Sequence, residues 1–144
     1  MRVERRVELA ASPEHVYEVV MDTSRLGDWV TIHDHLGGDP PRRLEKGSQL
    51  TQYLKLAGRR FRVRWTVVEN DPCRHVVWEG RGPVYSRARV EYDFEKNGQG
   101  TRFSYLNEFE LPGGPLGRIA GRTVARATAH ALDESLQRLK TLVE

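Results

Sequence analysis

The last thirty residues of this chain constrain its fold more than any other segment. Leu111-Pro112-Gly113-Gly114-Pro115 ends a series of strand-like stretches, and no proline interrupts the helical pattern that follows, as far as Glu144. Such a helix is ~45 Å long, at about 1.5 Å per residue, and can lie across a whole sheet. Its predicted inward face is divided, because the second half carries large apolar side chains and the first half mostly small ones. The large ones are Leu132, Leu136, Leu139 and Val143, and the small ones are Ala120, Gly121, Val124, Ala125 and Thr128. A helix that packs closely at one end only can leave a space beside the other, so the pattern favours a binding cavity.

Alternation of apolar and polar side chains predicts the strands that this helix would cover. The first strand spans 2–9, and Ser12-Pro13 then starts the first of two short helices that end before residue 30. The other predicted strands are at 30–36, 48–56, 59–69, 74–80, 85–96 and 101–111. The breaks between the last five are short, so neighbouring strands should form antiparallel hairpins.

The side chains of two hairpins indicate how the strands pair. If Lys96 lies opposite Thr101, aromatic residues meet on one face and opposite charges meet on the other. The hairpin before it gives a similar match if Glu69 lies opposite Arg74. The predicted pairs are Tyr92 with Tyr105, Phe94 with Phe103, Val90 with Asn107, Trp65 with Trp78, Val67 with Val76 and Arg64 with Glu79. One face is then apolar and the other charged, as expected of an antiparallel sheet covered on one side.

The order of these elements resembles a known superfamily. The segment 11–20, followed by Asp22, Leu26 and Trp29, is similar to its opening helices, and Gly47-Ser48 and the Pro-Gly segment before the last helix also fit. The whole chain, 1–144, is identified as one domain of the START-like (SRPBCC) superfamily, in its polyketide cyclase/dehydrase and lipid-transport branch. The resemblance implies an α+β helix-grip fold, in which a curved seven-stranded antiparallel sheet wraps around the long C-terminal helix, with two short helices after the first strand. It also implies a hydrophobic cavity, used by relatives that include lipid carriers, hormone receptors, coenzyme-Q-binding proteins and aromatase/cyclases. Fold therefore does not settle function.

The predicted cavity has a mouth and a set of lining residues. The turn at 57–58 and the loops at 80–84 and 112–116 should share one end of the sheet, where we expect the mouth. Gln52, Asn107 and Thr128 place polar groups on the apolar face, and an unsatisfied buried amide costs ~1–3 kcal/mol, so each is a candidate ligand contact. The predicted ligand-binding residues are Gln52, Trp65, Trp78, Tyr92, Tyr105, Asn107, Phe109, Gly121, Val124 and Thr128.

The predicted lining favours holding a molecule over transforming one. It contains no carboxylate and no histidine, because His75 and Glu79 should point outward, and general acid–base catalysis needs such a group within reach. Catalytic residues stay unassigned, although an aromatase/cyclase using a tyrosine or Arg118 remains an alternative. His33 and His35 should face the same way on a strand, but two ligands do not make a metal site, so neither metal nor cofactor is predicted.

Composition limits the remaining classes. The single cysteine, Cys73, excludes an internal disulfide. The net charge of +3 is weak support for a nucleic-acid partner. No apolar run approaches a membrane span of about 18 residues, and no signal-peptide pattern is evident, so we expect a cytoplasmic protein without an integral membrane segment. The leading interpretation is a binder of one small hydrophobic molecule, lipidic or aromatic and polyketide-like. A third possibility is a protein- or membrane-interaction module that uses an arginine-rich surface around Arg60, Arg62 and Arg64; ligand identity and oligomeric state stay open.

Overall fold

The computed structural model describes residues 1–110 and 114–144, and of residues 114–120 only their place in the last helix. The strands are β1 (Arg2–Leu9), β2 (His33–Gly37), β3 (Gln49–Leu56), β4 (Arg59–Asp71), β5 (His75–Arg81), β6 (Arg87–Asn97) and β7 (Gly100–Glu110). The helices are α1 (Pro13–Val20), α2 (Leu26–Trp29) and α3 (Gly114–Val143), with a 3-10 turn at Thr23–Arg25 before α2. All seven strands form one curled antiparallel sheet in the order β1-β7-β6-β5-β4-β3-β2. The predicted α+β helix-grip architecture is confirmed.

The first helix begins where the sequence predicts. The Ser12 hydroxyl accepts a hydrogen bond from the backbone N–H of His15 at 3.2 Å. Pro13 occupies the first helical turn, where its missing backbone N–H would have had no acceptor within the helix. The apolar side of α1, which includes Val16 and Val20, is buried in the core. A cap, a proline and an apolar stripe therefore fix α1 against the sheet.

The predicted pairing of β6 with β7 is confirmed. Lys96 lies opposite Thr101, and Tyr92 opposite Tyr105, so the aromatic side chains meet on the inner face. Opposite charges meet outside, where Arg89 faces Glu108. The side chains on both faces of the hairpin favour the same register, so the sequence specifies how β6 and β7 pair.

The predicted pairing of β4 with β5 is wrong by two residues at Trp65. Trp65 lies opposite Gly80, not Trp78, and Val67 lies opposite Trp78, not Val76. A shift of two residues keeps every side chain on its face, so the alternation pattern could not detect it. Gly80 explains why Trp65 pairs with it. A Cβ at this position would lie 2.7 Å from Cε3 of Trp65, so only glycine leaves room for that ring.

The shift originates in the connecting loop. Asp71 pairs with His75, and the N–H of Arg74 donates to the Asp71 carbonyl at 3.0 Å, which leaves a three-residue loop. Cys73, the middle residue of this loop, follows Pro72 and has a φ of +65°, the positive φ that the third position of a type II turn requires. A bulge between Val67 and Glu69 absorbs the extra residue.

Helix α3 divides in the way its sequence predicts. Leu132, Leu136, Leu139 and Val143 are buried, whereas in the first half Val124 and Ala125 are only half-buried and the buried positions are the small residues Gly121 and Thr128. The helix is also held by polar contacts, because the Thr31 N–H donates to Ser135 Oγ at 3.1 Å and Arg5 Nε donates to Asp133 Oδ1 at 2.9 Å. Ala120 lies outside the residues whose side chains are described. No helix within the described ranges is both long enough and apolar enough to span a bilayer.

Candidate functional site

A cavity of about 650 Å³ lies between the inner face of the sheet and α3. Nine of the ten predicted ligand-binding residues lie on its wall, namely Gln52, Trp65, Trp78, Tyr92, Tyr105, Asn107, Phe109, Val124 and Thr128. The tenth, Gly121, is buried beside the N-terminal residue, since a Cβ there would lie 3.5 Å from Cγ of Met1. The structure therefore groups these side chains around one space, and their contact with a ligand stays a prediction.

The deepest part of the wall is a chain of aromatic rings. Trp78 meets Trp65 edge-to-face, with ring centroids 6.1 Å apart, and meets Tyr92 in the same manner at 6.0 Å. Tyr92 and Tyr105 follow at 5.1 Å and 89°. Each of these contacts has the geometry that aromatic quadrupoles prefer, so the rings form a rigid floor.

The two wall tyrosines are neutral at physiological pH. Burial raises the pKa of Tyr105 to about 12, with the neighbouring Tyr92 hydroxyl opposing part of the shift. Burial raises the pKa of Tyr92 well above its ordinary value as well. Both hydroxyls can therefore act as hydrogen-bonding groups, but neither supplies a general base near pH 7.

Gln52 is held in a polar chain that begins at the wall and ends behind it. Trp65 Nε1 donates to Gln52 Oε1 at 2.9 Å, and the Gln52 amide nitrogen lies 2.9 Å from Nδ1 of His33. If the amide donates, the Nδ1 atom accepts, so this network fits a neutral His33. Burial lowers the pKa of His33, which favours the same protonation state. Gln52 is thus satisfied by protein groups and serves to orient Trp65.

His33 was not predicted to belong to this network, and the prediction that His33 and His35 face the same way is wrong. The register of β2 shifts between the two residues, so His33 bonds to Gln52 while His35 stacks on Tyr53, with ring centroids 4.5 Å apart. Alternation over five residues gives no sign of such a bulge. Among the described residues, no group of three or more His, Cys, Asp or Glu side chains is placed to hold a metal ion.

Two polar groups of the wall have no hydrogen-bond partner among the described residues. Asn107 lies on β7 between Val3 and Val90, and no hydrogen bond joins its amide to another described side chain. The Trp78 ring lines the cavity, and its buried Nε1–H has no hydrogen-bond partner within the described part of the chain. The Trp78 N–H is buried and the Asn107 side chain is half-buried. Buried polar groups are normally satisfied, so the Trp78 N–H in particular is available to an oxygen atom of a bound molecule, and the Asn107 amide can add a second contact.

One end of the cavity is formed by the turn and the loop in which the mouth was predicted. Ala57 and Arg59 line it from the β3–β4 turn, and Pro83 and Val84 line it from the β5–β6 loop. The third predicted contributor, 112–116, lies outside the described side chains, as does Arg118. Sequence reasoning missed several wall residues here, including Thr123, Arg87 and Arg59. The place of Arg59 two positions before Phe61, on the inward-facing side of the strand, was the available signal for that residue.

Comparison with known proteins identifies a family and related sequences for this chain. A family model described as polyketide cyclase / dehydrase and lipid transport matches residues 1–144. The Mycobacterium tuberculosis protein named Uncharacterized protein Rv1546 is 28% identical over 140 residues, covering 97% of this chain and 96% of the relative. Toxin Rv0910 of the same organism is 27% identical over 138 residues, covering 94% and 93%.

Solved structures share the fold. TTHA0849 from Thermus thermophilus superimposes with a TM-score of 0.79 at 18% identity, covering 99% of this chain and 97% of that one. A START superfamily protein from Mycobacterium smegmatis gives a TM-score of 0.74 at 19% identity, covering 99% and 96%. At these identities the likeness shows the architecture, whereas the family is shown by the match along the whole sequence.

Proposed function

The chain belongs to the polyketide cyclase/dehydrase and lipid-transport family, and from that premise we propose that it binds one small hydrophobic molecule, lipidic or aromatic, between the sheet and α3. The observation that carries the proposal is the cavity of about 650 Å³, walled by apolar and aromatic side chains. Its size falls within the ~300–1,000 Å³ of ordinary small-molecule sites. Transfer of an apolar surface from water into such a space is favourable by roughly 25 cal/mol per Å².

The polar groups on the wall support a ligand that carries at least one oxygen acceptor. Asn107 and the Trp78 indole N–H have no hydrogen-bond partner among the described residues, and a carbonyl or hydroxyl oxygen could accept from either. The rest of the wall offers mainly apolar contact. A small aromatic or acyl compound with one polar end fits this distribution better than a sugar or a nucleotide.

The chemistry of the wall supports binding more than catalysis. Its described part contains no carboxylate and no imidazole, because His33 lies behind Gln52. Tyr92 and Tyr105 have raised pKa values and stay protonated. A cyclase that removes protons from its substrate would need a base with a pKa near the working pH. The aromatase/cyclase alternative therefore has less support than a carrier or a receptor.

The test uses the neutral fluorescent probe N-phenyl-1-naphthylamine, together with native mass spectrometry for any co-purified molecule. Wild-type protein should bind the probe with a rise in fluorescence, and Val124→Trp, which fills the space under α3, should abolish that rise. Arg126→Trp adds the same side chain to the exposed side of the same helix and should leave binding unchanged. Equal binding by the wild type and the Val124 variant, or no binding by the wild type and no co-purified ligand, would contradict the proposal.

A further inference from the structure

We propose that the mouth end of the molecule docks on an anionic lipid bilayer, through the loop at 82–86 and a row of three arginines beside it. The row consists of Arg64, Arg81 and Arg87, on three adjacent strands. The loop joins β5 to β6 and lines the cavity mouth. Two independent observations, one on apolar exposure and one on charge, point to the same surface.

Large apolar side chains are exposed at this end of the described chain. Val84 is 77% exposed and Tyr85 is 95% exposed, and both are at the tip of the 82–86 loop. Met1, 48% exposed, is at the same end because its neighbour Arg2 pairs with Glu108 near the end of β7. These three are all of the exposed large hydrophobic residues in the described ranges. Apolar exposure concentrated at one end is typical of an interaction surface.

The loop holds its apolar side chains outward at a conformational cost. Val84 has a φ of +55° and Tyr85 a φ of +60°, a region that non-glycine residues, and valine above all, rarely adopt. Three hydrogen bonds fix the turn: Gly82 N–H to the Ser86 carbonyl at 3.0 Å, and the N–H and hydroxyl of Ser86 to the Pro83 carbonyl at 3.1 and 2.7 Å. Backbone strain of this kind persists where the surrounding structure enforces it, and it concentrates at functional sites.

Among the described residues, no ion pair neutralises the arginine row, although Glu79, Glu108 and Glu110 line the same surface depression. Arg64 lies directly opposite Arg81, and Arg81 directly opposite Arg87, an arrangement that destabilises a sheet. No carboxylate of the described residues lies within 4.0 Å of these guanidinium groups, although Glu110 faces Arg87 in the register. The undescribed side chains, 111–120, include no Asp or Glu.

The neighbouring Arg89 shows the contrast, because it forms ion pairs with Glu79 at 3.1 Å and with Glu91 at 2.9 Å. The row is thus a cationic surface that folding itself does not favour. An anionic partner would compensate it.

A bilayer fits the combination better than another anionic partner. A nucleic acid or an acidic protein would account for the arginines but not for Val84 and Tyr85 at the tip between them. In a membrane interface, aliphatic and tyrosine side chains enter the headgroup boundary while arginines bind lipid phosphates. Arg81 and Arg87 flank the loop directly, so both contacts can form together. Docking in this orientation would place the cavity mouth on the bilayer; transfer of a ligand there rests on the proposed function, whereas docking does not.

The test is co-sedimentation of the full chain with vesicles of phosphatidylcholine alone and of an equal mixture of phosphatidylcholine and phosphatidylglycerol. We expect binding to the mixed vesicles, weaker binding to the neutral ones, and release by added salt. Changing Arg64, Arg81 and Arg87 together to Gln should weaken binding roughly a hundredfold, as the loss of three cations near an anionic surface predicts. The matched control changes Lys46, Arg74 and Lys96 to Gln at the opposite end of the sheet and should bind far more strongly than that variant.

The apolar contribution is tested by Val84→Asn with Tyr85→Asn, because asparagine tolerates positive φ and the turn should survive. This variant should bind mixed vesicles roughly tenfold more weakly and keep its salt dependence. Unchanged melting temperatures and unchanged far-ultraviolet circular dichroism would show that both surface variants are folded. Failure of the wild type to bind mixed vesicles, or equal losses in the test and control charge variants, would overturn the proposal. So would capture of poly-glutamate without vesicle binding. Probe binding without vesicle binding would remove the docking surface and leave the proposed function standing.

Discussion

Gln52 and Asn107 are both amides on the cavity wall, but their surroundings differ. Gln52 is bonded on both sides, to Trp65 and to His33, whereas Asn107 has no hydrogen bond to a described side chain. Sequence alternation found both, because each interrupts an apolar face. It could not tell them apart, since the partner of Gln52 comes from a bulged strand.

The difference predicts opposite effects of the same substitution. Gln52→Leu leaves the buried Trp65 N–H and the half-buried His33 ring nitrogen without their partner and should lower the free energy of unfolding by about 1–3 kcal/mol. Asn107→Leu should leave stability nearly unchanged but reduce the preference of the cavity for 2-naphthol over naphthalene roughly fivefold to tenfold. Urea denaturation and equilibrium titration measure the two effects. An Asn107 variant that kept the full preference would exclude this amide from ligand recognition.

His33 should make stability depend on pH. Burial lowers its folded-state pKa below the ordinary 6.5, with Asp34 opposing the shift and His35 adding to it. The unfolded chain therefore binds the proton at a higher pH than the folded protein does. The stability contribution of neutral His33 is fully present above about pH 6.5 and decreases as the pH falls towards the folded pKa.

Replacement of His33 by Asn, which keeps an acceptor near the position of Nδ1, should flatten the dependence of the unfolding free energy on pH between about 5 and 7. His35→Asn removes an exposed histidine and serves as the control. If the two variants show the same pH profile, His33 is not the titrating group.

At the scale of the elements, the two hairpins show what the sequence can and cannot specify. The β6–β7 register was predictable because side chains on both faces favour one pairing. The β4–β5 register was not, because a three-residue loop and a bulge displace it by two residues without changing any face. Backbone devices of this kind leave no mark on the alternation of apolar and polar residues.

A substitution at Gly80 tests the observed β4–β5 register. Gly80→Ala would place a Cβ 2.7 Å from Trp65 Cε3 and 2.8 Å from Val63 Cγ1, and should destabilise the protein by about 1–3 kcal/mol. Gly27→Ala is the control, because its Cβ would lie at an ordinary 3.7 Å from His33 Cδ2. Thermal unfolding of the two variants decides the point, and equal melting temperatures would contradict the close contact.

The two halves of α3 should respond differently to truncation. Leu136 is 4% exposed and packs in the core, so Leu136→Ala should cost about 2–5 kcal/mol. Val124 faces the cavity and is only half-buried, so Val124→Ala should cost less than about 1 kcal/mol, since fewer packing contacts are lost. Chemical denaturation gives both values, and comparable losses would indicate that the first half of α3 is packed as tightly as the second.

At the scale of the whole molecule, the cavity makes stability depend on what fills it. A molecule that binds only the folded state at a hundredfold excess over its Kd adds about 2.7 kcal/mol. For a chain of this size that corresponds to a rise in Tm of roughly 5–10 °C. N-phenyl-1-naphthylamine should therefore raise the Tm of the wild type and leave that of Val124→Trp unchanged. A similar rise in both would indicate binding outside the cavity.

The space beside the first half of α3 was predictable at this scale from the change from small residues to leucines along the helix, and its use as a binding cavity stays a proposal. The occupant was not, because an apolar wall selects by shape and volume, which depend on the exact placement of many rings. The docking surface was also only partly foreseen. Arg64 was noted as part of a charged face, but its position opposite Arg81 follows from the register that the sequence analysis placed wrongly.

The division of α3 has a consequence for how such a protein can change over evolutionary time. Residues that keep the fold together and residues that face the cavity occupy different turns of one helix. Substitutions at Val124 or Thr128 can therefore reshape the cavity while Leu132, Leu136 and Leu139 continue to secure the core. Under the proposed function, selection for a new ligand and selection for a folded chain would therefore act mainly on different turns of α3.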